Sequence, residues 1–286
     1  MLILVPFVLL QTPDITVVGA RSPAQTSADV KASIRATTPI ASDDQYARWN
    51  TPVCPTVVGV APDLAARVLA TIRQEAAAAR IKLRAAPCVP NVTVAFVADA
   101  SAATLGEWPV SPSALQRASP AERRALLGPE RAVRWWYRYE TTGSDGRAFT
   151  AEPAMFGANA SSTDAIPLPR NGRVSSSYSS TLIGTKVRVN LTGATVLVDA
   201  NRASGASLDA VSALVARVAL APAGLISADS AMPSVLAEPR SPEDRPARLT
   251  DYDRAYLWAL YRTPPDRPAS QQRARMAGLI AQRLGR

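Results

Sequence analysis

"TVLVDANRASGASLDAVSALVARVALAP", residues 195–222, decides how this chain is read. It opens with a continuous apolar run, 195–199, of the kind a strand buried on both faces requires. Ser207 then offers an N-cap and Asp209 an acid in the first helical turn. Leu208, Val211, Val215 and Val218 recur on one helical face, and Leu214 and Leu220 make the opposite face apolar too. The spacing therefore predicts a helix enclosed by protein on every side, stopped by Pro222 and Gly224. Its second half, SALVARVALA (212–221), contains no His, Glu or Asp. Asp199, closing the strand, is the best single carboxylate candidate for acid–base chemistry. No second carboxylate is marked as its partner, and the plainer reading is a strand-end Asp held by loop N–H groups.

Upstream, "TVVGV" (56–60) suits a short strand, and Pro62 and Asp63 open a helix whose stripe is Leu64, Val68, Ile72, Ala76 and Ala79. "NVTVAFVAD" (91–99) reads as a buried strand. Two helix starts follow, Ser111-Pro112 and the capping box Ser119…Glu122. "AVRWWYRYETT" (132–142) suits a partly exposed strand, in which Trp135, Trp136 and Tyr137 are expected to pack at a core or edge rather than form a stacking platform. Residues 143–182 shift to Gly, Ser, Pro and Asn, a functional flap or a disordered excursion. "TKVRVNL" (185–191) alternates, with Val187, Val189 and Leu191 on one face, and Gly193 is expected to break it. Downstream, Thr250 and Asp253 form a second capping motif for a helix running to about Arg262, and a basic amphipathic segment, 271–286, ends the sequence.

The 286 residues, 47% hydrophobic and 19% charged, describe a globular chain. Histidine is absent. That excludes Ser-His-Asp and Cys-His nucleophiles and the HExxH zinc motif. No Ser-x-x-Lys helix, GxGxxG or P-loop occurs, so the sequence implies no cofactor. The net charge of +9 rests on arginine, because Lys31, Lys82 and Lys186 are the only lysines among 32 basic residues. Such a charge attracts anionic envelope polymers or lipids. Nucleic acid is disfavoured because no recognition motif accompanies the charge.

"MLILVPFVLLQTP" (1–13) is too short to span a bilayer and suits the apolar core of a secretory signal, although a basic leading segment is missing; the alternative is a buried first strand. Cleavage fits near Ala20 or nearer Gln11. Cys54 and Cys88 fit a disulfide in an oxidising compartment, the alternative being two buried thiols. "DITVVGA" (14–20) resembles the TonB box of outer-membrane receptors, an extended segment that pairs edge-to-edge with a partner's sheet. The expected organisation is a signal-like segment (1–20), a peripheral segment (21–45), one α+β domain (46–262) and a basic helical tail (263–286).

The order of elements resembles the zincin metallopeptidases, in particular the metzincins. The likeness is sharpest over 196–261: "SADSAMPSVL" resembles their Met-turn through Met232, and "LTDYDRAYLWALY" their closing helix through Leu249, Thr250, Asp253, Leu260 and Tyr261. The resemblance implies a twisted mixed sheet with a backing helix, a buried central helix, the Met-turn and a closing helix. It puts Ser212 at the first metal-ligand position, Ala213 at the general base, Ala216 at the second ligand and Ala219 at the glycine. None of these can bind zinc or move a proton. Over most of its length, through "ITVVGAR", "RWNTPVCPTVVGV" and "PCVPNVTVAFVAD", the chain also resembles a group of uncharacterised exported proteins of alphaproteobacteria. The combined expectation is an exported, non-catalytic zincin-like protein that binds a peptide or protein segment. The alternatives are an envelope-associated binder of anionic polymer or lipid, and a hydrolase that uses carboxylates alone.

Overall fold

The computed structural model describes residues 23–38, 44–115, 117–143, 146, 150–151, 173–174, 187–227, 230–239 and 241–285. The expectations for the 1–20 and 14–20 segments, and most of 143–182, lie outside the described residues. The described chain is mixed α/β, with seven α-helices and a sheet in which parallel pairing predominates.

The helices are α1 (Pro23–Thr37), α2 (Pro62–Ala79), α3 (Ala100–Leu105), α4 (Pro120–Leu127), α5 (Leu208–Leu220), α6 (Asp251–Leu260) and α7 (Ala269–Leu284). The strands are β1 (Arg48–Trp49), β2 (Pro55–Val58), β3 (Val92–Val97), β4 (Val133–Gly143), β5 (Thr150–Ala151), β6 (Arg173–Val174) and β7 (Val187–Asp199). β7 is the centre of the main sheet. Parallel β3 and then β2 lie on one side of it, β1 pairs parallel with its first half, and antiparallel β4 pairs along its whole length. β5 and β6 form a separate antiparallel pair.

Register sorts the side chains into rows. Val57, Val94, Val196 and Trp135 stand side by side across four strands, and the neighbouring row runs Pro55, Val92, Ala194 and Tyr137. Tyr137 reaches α5 by hydrogen bonds, so this face looks toward the helices. One residue along, Thr56, Thr93, Thr195 and Trp136 form a row on the other face, its three threonines half-buried.

Local chemistry explains the helix starts. Pro62 occupies the first turn of α2, where its missing N–H costs nothing. Asp99 caps α3, accepting from the N–H groups of Ser101 (2.7 Å) and Ala102 (3.1 Å). The expected capping boxes close at α4 through Ser119 and Glu122 and at α6 through Thr250 and Asp253. Ser207 accepts from Ala210 N–H to cap α5. Each such cap stabilises by about 1 kcal/mol.

Two readings change. Gly193 does not end the strand: β7 continues to Asp199, and a bulge absorbs Thr192, because Arg138 pairs with Gly193 and Tyr139 with Leu191. A Cβ on Gly193 would lie 2.4 Å from Arg138 Nε, so glycine lets the Arg138 side chain cross the strand. The polar side of "TKVRVNL" is not solvated throughout either, for buried Asn190 donates to Thr142 Oγ1 (2.9 Å). β4 is partly exposed as expected, buried from 133 to 137 and open at Arg138 and Glu140.

α1 and α7 pack together, with Val30, Ile34, Met276, Ala277 and Ile280 in the common core. Between them and the sheet, buried Arg48 donates to the carbonyls of Leu260 and Thr263 at the C-terminus of α6, where a cation suits the helix dipole. Gln272 of α7 receives Arg48 Nη2 (2.9 Å) and Tyr46 N–H (3.2 Å). Burial pushes the Arg48 pKa down to about 10. The Cys54–Cys88 disulfide joins the start of β2 to the loop ahead of β3.

Candidate functional site

α5 is buried from Ala210 to Leu220, as its two apolar faces predict. Ser212, Ala213 and Ala216 are all sealed inside, at 1%, 0% and 0% exposure. The Ser212 hydroxyl donates to Leu208 O one turn back (2.7 Å) and is unavailable to a substrate. The helix is therefore closed around these three positions.

A buried helix must find donors for its last carbonyls, and α5 ends without a glycine to redirect them. Aromatic side chains fill the role. Tyr137 donates to Val218 O (2.9 Å), Trp49 Nε1 to Ala219 O (2.9 Å) and Tyr261 to Leu220 O (2.6 Å). Arg217 Nη1 reaches Ala221 O (3.3 Å), and Trp135 Nε1 donates to Ala223 O (2.8 Å) in the loop beyond. Burial raises the pKa of Tyr137 and Tyr261, which keeps both phenols protonated as donors. Trp135 and Tyr137 are thus structural, as expected for core packing.

Arg217 went unremarked in the sequence. Its signal was available: it is the one charged side chain inside an otherwise closed apolar helix. It is fully buried, with Nε 3.6 Å from Asp253 Oδ1 and its guanidinium 4.3 Å from the Tyr256 ring. Asp253 carries the rest of the network. Its Oδ1 accepts from the Ser234 hydroxyl (2.6 Å), and its Oδ2 from Val235 N–H (2.9 Å) and the Thr250 hydroxyl (2.8 Å). Pro233 O lies equally close to the Thr250 hydroxyl (2.8 Å), so the two acceptors share its single proton. One carboxylate thereby ties the segment after Met232, the start of α6 and the middle of α5 together. Met232 itself is half-buried against the core.

Asp199 is 2% exposed, and its oxygens are occupied. Oδ2 accepts from Ala100 N–H (3.0 Å) and Oδ1 from Arg202 N–H (3.0 Å), with Arg202 Nε 3.8 Å away. This matches the plainer reading, a strand-end carboxylate held by loop N–H groups. Among the described residues, no group of three or more His, Cys, Asp or Glu is placed to hold a metal ion, and no helix is long and apolar enough to cross a membrane.

An apolar concavity lies against β4. A half-open cavity of about 60 Å³ has Trp135, Tyr137 and Tyr139 as its floor. The 222–225 loop and Thr38 form one wall; Ala114, Leu115, Ala118 and Leu126 form the other. This volume suits four or five heavy atoms, on the order of one apolar side chain. At its margin Arg117 is paired with Asp44 (2.6 Å) and lies 5.3 Å from the Tyr139 ring centre. The backbone of β4 pairs only with β7 among the described residues. The 112–127 segment leans on β4, yet among the described residues no backbone hydrogen bond joins them.

No protein-family model matches this chain, and neither a curated protein nor a solved structure does.

Proposed function

We propose that this chain is an exported, non-catalytic protein of zincin-like architecture that binds an extended peptide or protein segment along β4. The observation that carries the reading is the pairing of a strand edge that meets no other strand among the described residues with an apolar cavity on the same strand. An added strand would take its main-chain hydrogen bonds from the β4 edge and seat one apolar side chain over Trp135, Tyr137 and Tyr139. The zincin-like element order, the closed ligand positions at Ser212, Ala213 and Ala216, and the Asp253 clamp on the segment after Met232 support the architecture and the lack of peptidase chemistry. The disulfide and the apolar leader support export.

Selection from a display library of random ten-residue peptides tests the reading. Recovered sequences should share one large apolar residue flanked by β-forming positions. Ala118→Trp, which fills the cavity without touching the β4–β7 ladder, should weaken their binding at least tenfold. Failure to enrich any peptide, or binding indifferent to Ala118→Trp, would contradict the proposal, as would stoichiometric zinc in the purified protein.

A further inference from the structure

A second surface stands apart from the β4 cavity in both residues and chemistry. α6 and α7 enclose an open groove of about 580 Å³, lined by Asp251, Arg254, Trp258, Gln282, Arg283 and Leu284. That volume falls within the range of small-molecule sites. Trp258 is clasped by two guanidinium groups, Arg262 at 4.3 Å and Arg283 at 5.2 Å from its ring centre. Burial lowers the Arg262 pKa, and the neighbouring charges of Arg80 and Arg283 lower it further.

The helix ends account for each arginine singly but not for the cluster. Arg80 caps α2, Arg262 lies two residues beyond α6, and Arg283 occupies the last turn of α7, all positions where a helix C-terminus favours a cation. Several other surface arginines do meet carboxylates: Arg67, Arg117, Arg131, Arg202, Arg245 and Arg254 each lie within 4 Å of one. Arg80, Arg262 and Arg283 have no carboxylate partner among the described residues. Three adjacent cations without a counter-ion repel one another, and a bound anion relieves that repulsion.

We infer that this groove binds a phosphate ester of a polyol. Arg283 lines the groove, and Arg262 stands beside it on the same indole with Nη1 donating to Trp258 O (3.4 Å); their remaining N–H groups suit phosphate oxygens, which guanidinium binds in a forked manner. Asp251 supplies an acceptor for hydroxyl groups, since Arg254 is already engaged by Glu75 (2.8 Å). Trp258 and Leu284 supply apolar contact for the carbon chain. The same chemistry is offered by a free polyol phosphate and by a glycerophosphate lipid headgroup. The site stands independently of the β4 proposal, because no residue is shared between the two surfaces.

The test is carried out on the full oxidised chain at low ionic strength. One arm titrates glycerol phosphate calorimetrically; the other measures co-flotation with phosphatidylglycerol–phosphatidylcholine vesicles against phosphatidylcholine alone. Binding in the first arm alone identifies a free ester, and anionic-vesicle binding identifies a lipid headgroup. In either case Arg283→Met, at an exposed position, should weaken binding by about tenfold, and the Arg262→Met/Arg283→Met pair by more. The Arg67→Met/Arg202→Met pair removes the same net charge from elsewhere and should leave binding unchanged. Binding of neither probe overturns the inference. So does binding that survives loss of Arg262 and Arg283, or that falls equally in both double variants.

Discussion

Asp253→Asn is the sharpest perturbation of the interior, because it removes one charge and almost no volume. The carboxylate now serves two N–H groups, two hydroxyls and the buried Arg217. An asparagine can keep its oxygen toward Val235 and Thr250, whose N–H groups cannot reverse. Its amide then faces Ser234, whose hydroxyl can turn to accept, and Arg217, which has no acceptor to offer. The loss therefore concentrates on one buried cation left without a counter-charge, which costs about 3–5 kcal/mol. For a domain of this size that lowers the melting temperature by roughly 6–15 °C. The assay is urea unfolding of the oxidised protein at neutral pH, followed by circular dichroism, for wild type, Asp253→Asn, Arg217→Met and the double variant. Once Arg217 is methionine, Asp253→Asn should cost only about 1 kcal/mol, a coupling of at least about 2 kcal/mol. If Asp253→Asn costs the same in both backgrounds, the buried pair is not what the carboxylate stabilises.

Alkaline stability and two glycines provide further checks. Burial raises the pKa of Tyr46, Tyr137, Tyr139, Tyr252, Tyr256 and Tyr261 above the ordinary 10.0. The folded chain thus holds phenolic protons that the unfolded chain releases, so stability is full below pH 10 and declines as pH rises above it. Arg48, depressed by burial to about 10 in the folded state, and Arg134, Arg245 and Arg262, also lowered by burial, oppose this trend, but they are four groups against six. The melting temperature should fall steadily above pH 10, with tyrosinate absorbance appearing together with unfolding; a flat profile to pH 12 would contradict the buried phenols. Gly59→Ala should destabilise by about 3 kcal/mol or more, since φ is +82° and the new Cβ would stand 2.0 Å from Phe96 O. Gly193→Ala meets only the side chain of Arg138, which can move, and should cost under about 1 kcal/mol in the same urea assay.

Local chemistry was the part of the fold legible in the sequence. The Ser119, Ser207 and Thr250 caps, Pro62 at the head of α2 and the two-sided apolarity of α5 each depend on neighbours within a few residues, and each stands where the pattern puts it. Features that depend on distant partners were not legible. Gly193 reads as a breaker in isolation, yet Arg138, 55 positions upstream, turns it into a bulge. The arginine excess reads as a surface property, while Arg48, Arg134 and Arg217 are wholly buried at 4%, 0% and 0% exposure. Their partners are carbonyls and a carboxylate on other elements, beyond the reach of any periodicity. That Ser212, Ala213 and Ala216 carry no metal-binding or acid–base group could be read directly, because it depends on residue type alone. The β4 cavity could not, since its walls come from α1, α4, β4 and the loop after α5.

Hydrogen–deuterium exchange on the β4 backbone, with and without a display-selected peptide, tests the central claim most directly. Binding along the strand edge should slow exchange for amides within 133–143, with smaller changes around 222–225, and Ala118→Trp should abolish the protection. Tight peptide binding that leaves β4 exchange unchanged, or that protects a different surface, would contradict the account.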